Sequence, residues 1–168
     1  NLNIEGTLTV NGTINLGNDY QVGDYKYYAI NNLGASGTQA RRYEIARLGI
    51  DYNDWNSVGL FEVELSENYY DKGLRKRYVV YYGYVSNGGV HLVEANGVGS
   101  NHFRVVVGSE VVVSGDHRYL PVYVDIRYYT SVDVLIKTTR TITTNSNTAV
   151  GQAWINTSPS PSNISDFT

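Results

Sequence analysis

Residues 120–126 of the chain read LPVYVDI, in which aliphatic side chains alternate with other residue types. In an extended strand the aliphatic positions point to one face, and Tyr123 and Asp125 point to the other. Residues 61–65, FEVEL, repeat the pattern with glutamates on the second face. This period of two predicts strands that are buried on one side and wet on the other, as in antiparallel sheets.

Similar runs recur along the chain at hairpin spacing, with turn pairs such as Asn96-Gly97 between them. Tyrosine occurs 16 times and charged residues make up only 17%, which is typical of strands and turns. The predicted strands cover residues 25–30, 41–48, 58–65, 77–85, 90–94, 103–107, 110–113, 119–129, 132–143 and 149–155. No segment has a useful helical period, so the sequence predicts an all-β fold with an antiparallel β-sandwich head.

Ahead of these strands lie three copies of a six-residue unit, residues 2–7, 8–13 and 14–19. Each copy has two apolar residues two positions apart and ends in a turn pair, so both apolar side chains face the same way in a short strand. Three units bury too little surface to stand alone. Several chains that pool their apolar rows around an axis would supply the missing core, so the repeat predicts a shaft stub in a symmetric oligomer.

These patterns divide the chain into a shaft-like β-repeat stub (1–24), a β-sandwich head (25–157) and an extended C-terminal tail (158–168) that is loose or lies along a neighbour. The chain has no Cys, which excludes disulfides and Cys-based metal or nucleophile sites. A net charge of −3 gives no reason to expect nucleic-acid binding. No apolar run is long enough to insert through a membrane. The absence of Met at position 1 indicates a fragment or a processed product.

The opening pattern Leu-x-Val-x-Gly-Thr-Ile-x-Leu (8–16) resembles segments that precede the distal domains of bacteriophage tail fibres. The motifs YEIARLG (43–49), FEVEL (61–65), LPVYV (120–124) and YYTSVDV (128–134) are similar to the β-sandwich heads of such fibres and of related bacterial adhesive trimers. The resemblance implies a homotrimer, carried on a virion or cell surface, whose heads bind a host-surface receptor that is often a glycan. No catalytic residue carries over from it.

An enzyme that degrades a surface polymer would need paired carboxylates, and the chain offers Asp51 with Asp54, or Glu62 with Glu64. The glutamates alternate with apolar residues, which favours the wet face of a strand. The aspartates lie in a segment that hints at a calcium loop, but Asn56 stands where the EF-hand requires Gly, which favours a plain Asx turn. We therefore expect a protein that is not an enzyme and uses no cofactor.

Three histidines, His91, His102 and His117, each stand alone in their segments. On a threefold axis one of them would meet its copies and hold a metal ion. An ordinary surface or loop histidine is the simpler interpretation, and we expect no metal.

Aromatic residues in polar loops are the best candidates for receptor contact, because Tyr and Trp stack on sugar faces while their polar tips stay wet. Trp55 lies in the Asp/Asn-rich loop with Tyr52 and Asn53 beside it, and Tyr69 lies in a second loop. We predict that these four residues contact the receptor. Tyrosines of the strand-like runs are instead expected to pack in the sandwich or between subunits: Tyr81, Tyr82, Tyr84, Tyr123, Tyr128 and Tyr129.

The one dense basic run, Arg75-Lys76-Arg77, is a further candidate. Arg75 and Arg77 could grip phosphate or carboxylate groups of a surface polymer, since arginine matches both in a bidentate geometry. The alternative is a solvated turn that pairs with nearby acids such as Asp71.

The leading hypothesis is therefore a receptor-binding head of a trimeric fibre. One alternative is a purely structural spacer within a fibre, and the other is a monomeric carbohydrate-binding module.

Overall fold

The structure is a computed structural model that describes residues 3–35, 37–54, 59–68, 74–83, 87–96 and 102–167. Within these ranges the regular structure is all strand, and no helix is present that is long and apolar enough to cross a membrane. The strands are β1 (Asp19–Val22), β2 (Tyr25–Gly34), β3 (Ala40–Asp51), β4 (Phe61–Glu67), β5 (Arg75–Gly83), β6 (Asn87–Asn96), β7 (Phe103–Val107), β8 (Val111–Ser114), β9 (His117–Ile126), β10 (Ser131–Thr138), β11 (Thr141–Thr143), β12 (Gln152–Ile155) and β13 (Pro161–Ile164).

The strands form two sheets. Sheet A has the order β1-β2-β10-β4-β5-β6, and sheet B has the order β11-β12-β3-β9-β7. Two short strands complete sheet B: β8 pairs with β9, and β13 pairs with β3. All these pairs are antiparallel except that of β11 with β12. Sequence neighbours are often separated in space, because β10 lies between β2 and β4, and β3 lies between β9 and β12.

One hydrophobic core lies between the two sheets. In sheet A it takes the inward positions of β4 and β10, including Phe61, Val63 and Ile136, which have no exposed surface. In sheet B it takes the inward positions of β3 and β9, such as Ile45 and Val122, which are equally buried. The aliphatic residues of the alternating segment 120–126 therefore face the core, as the sequence predicts. The prediction of an all-β fold with two packed sheets is confirmed.

All ten predicted strands correspond to observed strands, but several boundaries differ and two elements, β1 and β13, lie outside the predicted strands. β9 ends at Ile126 rather than at residue 129, and the predicted strand 132–143 breaks into β10 and β11. The break falls at Thr139 and Arg140, where the buried Arg140 guanidinium turns inward to donate to the carbonyl of Gly49 over 2.9 Å. β1 and β13 have no clear alternating pattern in the sequence.

The stub does not form the short strands predicted for its repeats. Residues 3–18 are exposed and make no strand in the single chain. The repeat is nevertheless visible in the backbone, because Gly6, Gly12 and Gly17 have positive φ angles of 105°, 141° and 75°. Glycine tolerates this region, which turns the chain at the end of each unit. The last part of the predicted stub, β1, pairs with β2 and belongs to sheet A.

The C-terminal tail lies along the chain's own sheet. Its strand β13 pairs with residues 40–43 of β3, on the same edge that β12 uses further along. After β13, Asp166 forms an ion pair with Arg127, and the ring of Phe167 lies under the guanidinium of Arg104, whose Cζ is 4.2 Å from the ring centroid. The tail therefore covers part of the outer face of sheet B.

Candidate functional site

The Asp/Asn-rich loop begins with the Asx turn that the sequence indicates. The backbone N–H of Asn53 donates to Oδ1 of Asp51 over 2.9 Å, and Asn53 is exposed. The backbone N–H of Tyr52 donates to the carbonyl of Asp116 in the β8–β9 turn, also over 2.9 Å. The Arg118 guanidinium stacks on the Tyr52 ring, with Cζ 3.7 Å from the centroid. One face of Tyr52 is therefore already occupied by an intramolecular cation.

A cavity of about 270 Å³ lies between β5, β6, β9 and the β7–β8 connection. Tyr82 and Leu120 form its apolar walls, and Glu110 forms the polar one. The Tyr82 hydroxyl donates to Oε2 of Glu110 over 3.1 Å, and Arg118 forms an ion pair with Oε1 of the same carboxylate. The cavity is slightly below the usual size of ligand pockets, roughly 300–1,000 Å³, and its carboxylate already accepts these hydrogen bonds from the protein.

Arg75 and Arg77 lie on β5 and not in a turn, so the predicted solvated turn is wrong. Both point to the outer face of sheet A. Lys76 points inward, where its Nζ donates to the carbonyl of Phe103 over 3.0 Å. Strand alternation alone separates the three basic side chains in this way.

The acids that pair with these arginines come from neighbouring strands, and Asp71 lies outside the described residues. Arg75 lies 3.8 Å from Glu64 and 3.5 Å from Glu94, and Arg77 lies 3.4 Å from Glu62 and 3.2 Å from Glu94. The Asn96 amide and then the two arginines hold the pKa of Glu94 below its usual value. Glu62 and Glu64 thus occupy the wet face of β4 as predicted, and each arginine has carboxylate partners within the chain.

The structure does not bring the predicted receptor-contacting residues together. Tyr52 follows β3 and lies beyond the Phe61 end of β4, whereas Arg75 pairs with Ser66 near the other end of that strand. Trp55 and Tyr69 lie outside the described residues. The six predicted residues therefore belong to at least two separate places, and those that are described have intramolecular partners or sit in a plain turn.

The histidines have partners within the chain. His91 stacks on Tyr81 with ring centroids 4.4 Å apart, and His117 Nε2 lies 2.7 Å from the carbonyl oxygen of Thr148. His102 Nδ1 lies 3.7 Å from Oε1 of the buried Glu67. Across the part of the chain that the structure describes, no three His, Cys, Asp or Glu side chains are grouped to hold a metal ion.

Among the described residues of the head, the most exposed pair of neighbouring aromatic residues is one that the sequence pattern assigns to packing. Tyr128 and Tyr129 are 40% and 55% exposed and lie in the turn between β9 and β10. The aliphatic alternation of β9 stops at Ile126, which is the sequence signal that the strand ends before these tyrosines. The other members of that group differ: Tyr82 is buried, Tyr123 is half-buried under Arg42, Tyr81 is exposed but stacked on His91, and Tyr84 lies outside the described residues.

An ion pair fixes the base of this turn. Arg127 donates from Nε and Nη2 to the two carboxylate oxygens of Asp166 over 2.9 and 2.8 Å. The hydrogen bond from Arg127 holds the pKa of Asp166 below its usual value, and the same bond raises the pKa of Arg127. The backbone N–H of Arg127 also donates to the carbonyl of His102 over 2.8 Å.

Comparison with known proteins adds no relative to this description. No protein-family model matches the chain, and no curated protein or solved structure matches it. The class that the chain itself defines is an all-β, two-sheet sandwich with an uncovered N-terminal segment.

Proposed function

We propose that the chain is the receptor-binding head of a homotrimeric fibre, such as a phage tail fibre or a related surface adhesin, that attaches to a glycan or another receptor on a host cell. The observation that carries this proposal is the apolar row of the stub. The side chains of this row that the structure describes are about half exposed: Ile4 41%, Leu8 57%, Val10 43%, Ile14 53% and Leu16 56%. In a monomer this exposed apolar row contributes no stability, whereas an interface with other chains would bury it.

The free energy available from burying the apolar row of the stub favours an assembly of several chains. Full burial of one aliphatic side chain contributes about 1.5–3 kcal/mol, and the single chain leaves much of that contribution unused at five positions. The residues between the apolar positions are polar, and each six-residue unit contains one turn glycine. These features suit copies of one chain arranged around an axis, because every copy then presents the same row to its neighbours.

The head supports the adhesive part of the proposal. Its core is closed and the arginines on the outer faces of its two sheets are paired within the chain, so binding would fall to loops and turns, where recognition residues are commonly found. The exposed aromatic residues of the described chain outside the stub are tyrosines, whose amphipathic rings suit sugars and protein surfaces.

The assembly is tested by measuring the mass of the chain in solution by light scattering. We expect a trimer. The double substitution Leu8→Asp with Val10→Asp places charge in the apolar row and should yield monomers, because three copies would bury like charges together. The matched control, Thr9→Asp with Asn11→Asp, adds the same charge to the intervening positions and should remain a trimer. A wild-type monomer, or an equal response of both variants, would remove the trimer from the proposal.

Adhesion is tested by the binding of the labelled trimer to intact host cells. A trimer that binds no cells would favour a structural spacer. The substitutions Trp55→Ala and Tyr52→Ala address the loop predicted from the sequence, and unchanged binding by both would remove that loop from the receptor site.

A further inference from the structure

We infer that the β9–β10 turn and the tail beside it form a subsite for a neutral saccharide, with Tyr128 as its stacking wall. This inference rests on the proposed adhesive function and names its ligand class and its location. The subsite lies at the opposite end of β9 from the Tyr52 loop, since the His117 end of that strand pairs with Asp51. It is therefore independent of the site predicted from the sequence.

The first observation is a polar cleft of suitable size. It has a volume of about 550 Å³, within the range of roughly 300–1,000 Å³ that is usual for ligand pockets. Its walls come from the segment before β3, from the β9–β10 turn and from the tail, and they include Thr38, Gln39, Tyr128, Asn163, Ser165 and Asp166. Hydroxyl and amide groups thus surround one aromatic ring, a combination that suits the hydroxyl-rich edges and apolar faces of a sugar ring.

The second observation is the arrangement of the polar groups in this cleft. The Gln39 amide nitrogen donates to the carbonyls of Ile164 and Ala40 over 2.6 and 3.2 Å, which fixes the side chain. Its Oε1 atom accepts no hydrogen bond from the described residues and can accept one from a ligand. Asn163 Oδ1 accepts from Arg41, so the Asn163 amide hydrogens remain as donors. Donors and acceptors held in place by other contacts give specificity at a small cost in entropy.

The third observation is the backbone of the turn. Tyr129 has a φ of +56°, in the left-handed region that a bulky residue rarely adopts. The other non-glycine residue with positive φ among the described residues is Asn32, a type that tolerates this region well. A Cβ on Gly37 would meet the Tyr129 ring at 2.6 Å, so the ring lies directly on the glycine backbone. Strain of this kind persists where the surrounding structure holds it, and it clusters at ligand sites.

The strained turn positions the two tyrosine rings. Their centroids are 6.1 Å apart with an interplanar angle of 74°, so Tyr129 packs edge-to-face with Tyr128 and supports it from the side. Tyr128 keeps 40% of its surface exposed and lines the cleft. The Arg127 guanidinium lies over one face of the ring, with Cζ 5.2 Å from the centroid, so a ligand would stack on the other face. Tyrosine is a rigid contact residue with few torsions to immobilise, which makes it effective in recognition.

The charges of the cleft indicate a neutral ligand. Both carboxylate oxygens of Asp166 accept from Arg127, and the ion pair is neutral as a unit. Arg41 is turned to Asn163. An anionic sugar would have to displace one of these contacts to reach a guanidinium, whereas a neutral pyranose needs only the ring face of Tyr128 and the amide and hydroxyl groups.

The test uses the full chain on an array of oligosaccharides that contain glucose, galactose, mannose, rhamnose, N-acetylglucosamine or N-acetylgalactosamine, together with sialylated and phosphorylated ones. We expect binding to neutral members. Tyr128→Ala should weaken that binding by about tenfold or more, since lost stacking of roughly 1.4 kcal/mol corresponds to a factor of ten. Thr38→Val should weaken it by a smaller factor through loss of one hydroxyl.

The matched control is Tyr81→Ala, which removes a tyrosine of similar exposure, 37%, from the outer face of sheet A and should leave binding unchanged. Thermal unfolding of each variant shows whether the fold is intact. Binding only to charged members, equal binding by Tyr128→Ala and wild type, or no saccharide binding at millimolar concentration would each overturn the subsite.

The subsite and the proposed function fail in different ways. A trimer that attaches to host cells and binds no saccharide overturns the subsite and leaves the adhesive head in place. A chain that is monomeric and attaches to no cells, yet binds neutral saccharides through Tyr128, overturns the fibre head and leaves the subsite.

Discussion

The outer faces of the two sheets use arginines and carboxylates in opposite ways. On sheet A, Arg75 and Arg77 meet three glutamates at 3.2–3.8 Å with the charged groups partly in water. On sheet B, Arg42 and Arg104 both donate to Asp125, at distances of 2.6–3.1 Å, and the Asp125 side chain has no exposed surface. The arginines are thus partly exposed on both faces, whereas the carboxylates are partly exposed on sheet A and fully buried on sheet B.

Aromatic rings and the tail account for the difference. Arg42 lies over Tyr123, with Cζ 4.9 Å from the ring centroid, and Arg104 lies over Phe167 at 4.2 Å. A third arginine on sheet B, Arg47, is placed between Tyr119 and Trp154 at 4.6 and 5.0 Å. Sheet A has no such cover over Arg75 and Arg77 among the described residues. Burial, and not the number of ion pairs, should therefore decide which charges the fold depends on.

The largest expected effect is that of Asp125→Asn. It removes the charge from a buried carboxylate that accepts hydrogen bonds from two partly exposed guanidinium groups, and the loss of such charge-assisted hydrogen bonds costs about 3 kcal/mol. Urea unfolding at a fixed protein concentration measures the change, because the stability of the proposed trimer would depend on concentration. A loss below about 1 kcal/mol would show that Asp125 is no more important than the carboxylates of sheet A.

Phe167→Ala should have the next largest effect, a loss of about 2 kcal/mol, since it removes a buried ring and a cation–π contact. Phe167→Leu keeps most of the buried apolar surface but removes the aromatic ring. It therefore separates the contribution of burial from that of the cation–π contact with Arg104. If Phe167 keeps the Asp125 cluster dry, the double variant with Asp125→Asn should be less destabilised than the sum of the single variants. Strict additivity would contradict that link.

The attachment of the tail should depend on acid pH. The pKa of Asp166 is held below its ordinary value of 3.8 by Arg127, so the contribution of this pair is present above pH 3.8 and is lost as the pH falls below it. The protection factors of the amides of residues 162–167, which correct for the slower intrinsic exchange at low pH, should therefore fall as the pH is lowered. Asp166→Asn should remove this step, and a variant that keeps the step would assign it to other carboxylates.

The smallest expected effect is that of Glu62→Gln on sheet A. Its ion pair with Arg77 is 3.4 Å long and partly exposed, and such pairs contribute about 0–1 kcal/mol. High salt should reduce even this difference between the variant and the wild type. A loss similar to that of Asp125→Asn would contradict the contrast between the two faces.

Sequence patterns were sufficient for the core but not for the surface. The alternation in residues 120–126 and 61–65 placed the correct side chains in the interior, because the period of a strand is fixed by its backbone. The strand β13 has no alternating pattern in the sequence, since Pro161-Ser162-Asn163-Ile164 contains Ile164 as its one β-branched residue. Its pairing depends on β3, which is more than a hundred residues away in the chain.

The candidate site, too, depends on contacts between residues that are far apart in the sequence, which local patterns do not predict. Tyr52 was chosen because it lies in a polar loop, and no local pattern indicates that Arg118 stacks on it from another strand. Tyr128 was assigned to packing because it continues a strand-like run, and its exposure follows from a turn that starts after Ile126. The cleft beside it combines residues near positions 38, 128 and 163, a proximity that sequence periodicity does not encode.

The pairing of β3 with β13 also has a consequence for the order of events during synthesis. Sheet B is incomplete until residues 161–164 have been made, and sheet A likewise waits for β10, which pairs β2 with β4. The stub, with its uncovered apolar row, is made first. The stub therefore exposes its apolar row to other chains while the head is still incomplete. Non-local strand pairing of this kind is slow, which prolongs that exposure. Completion of the head before the stubs meet would keep chains from associating in the wrong register.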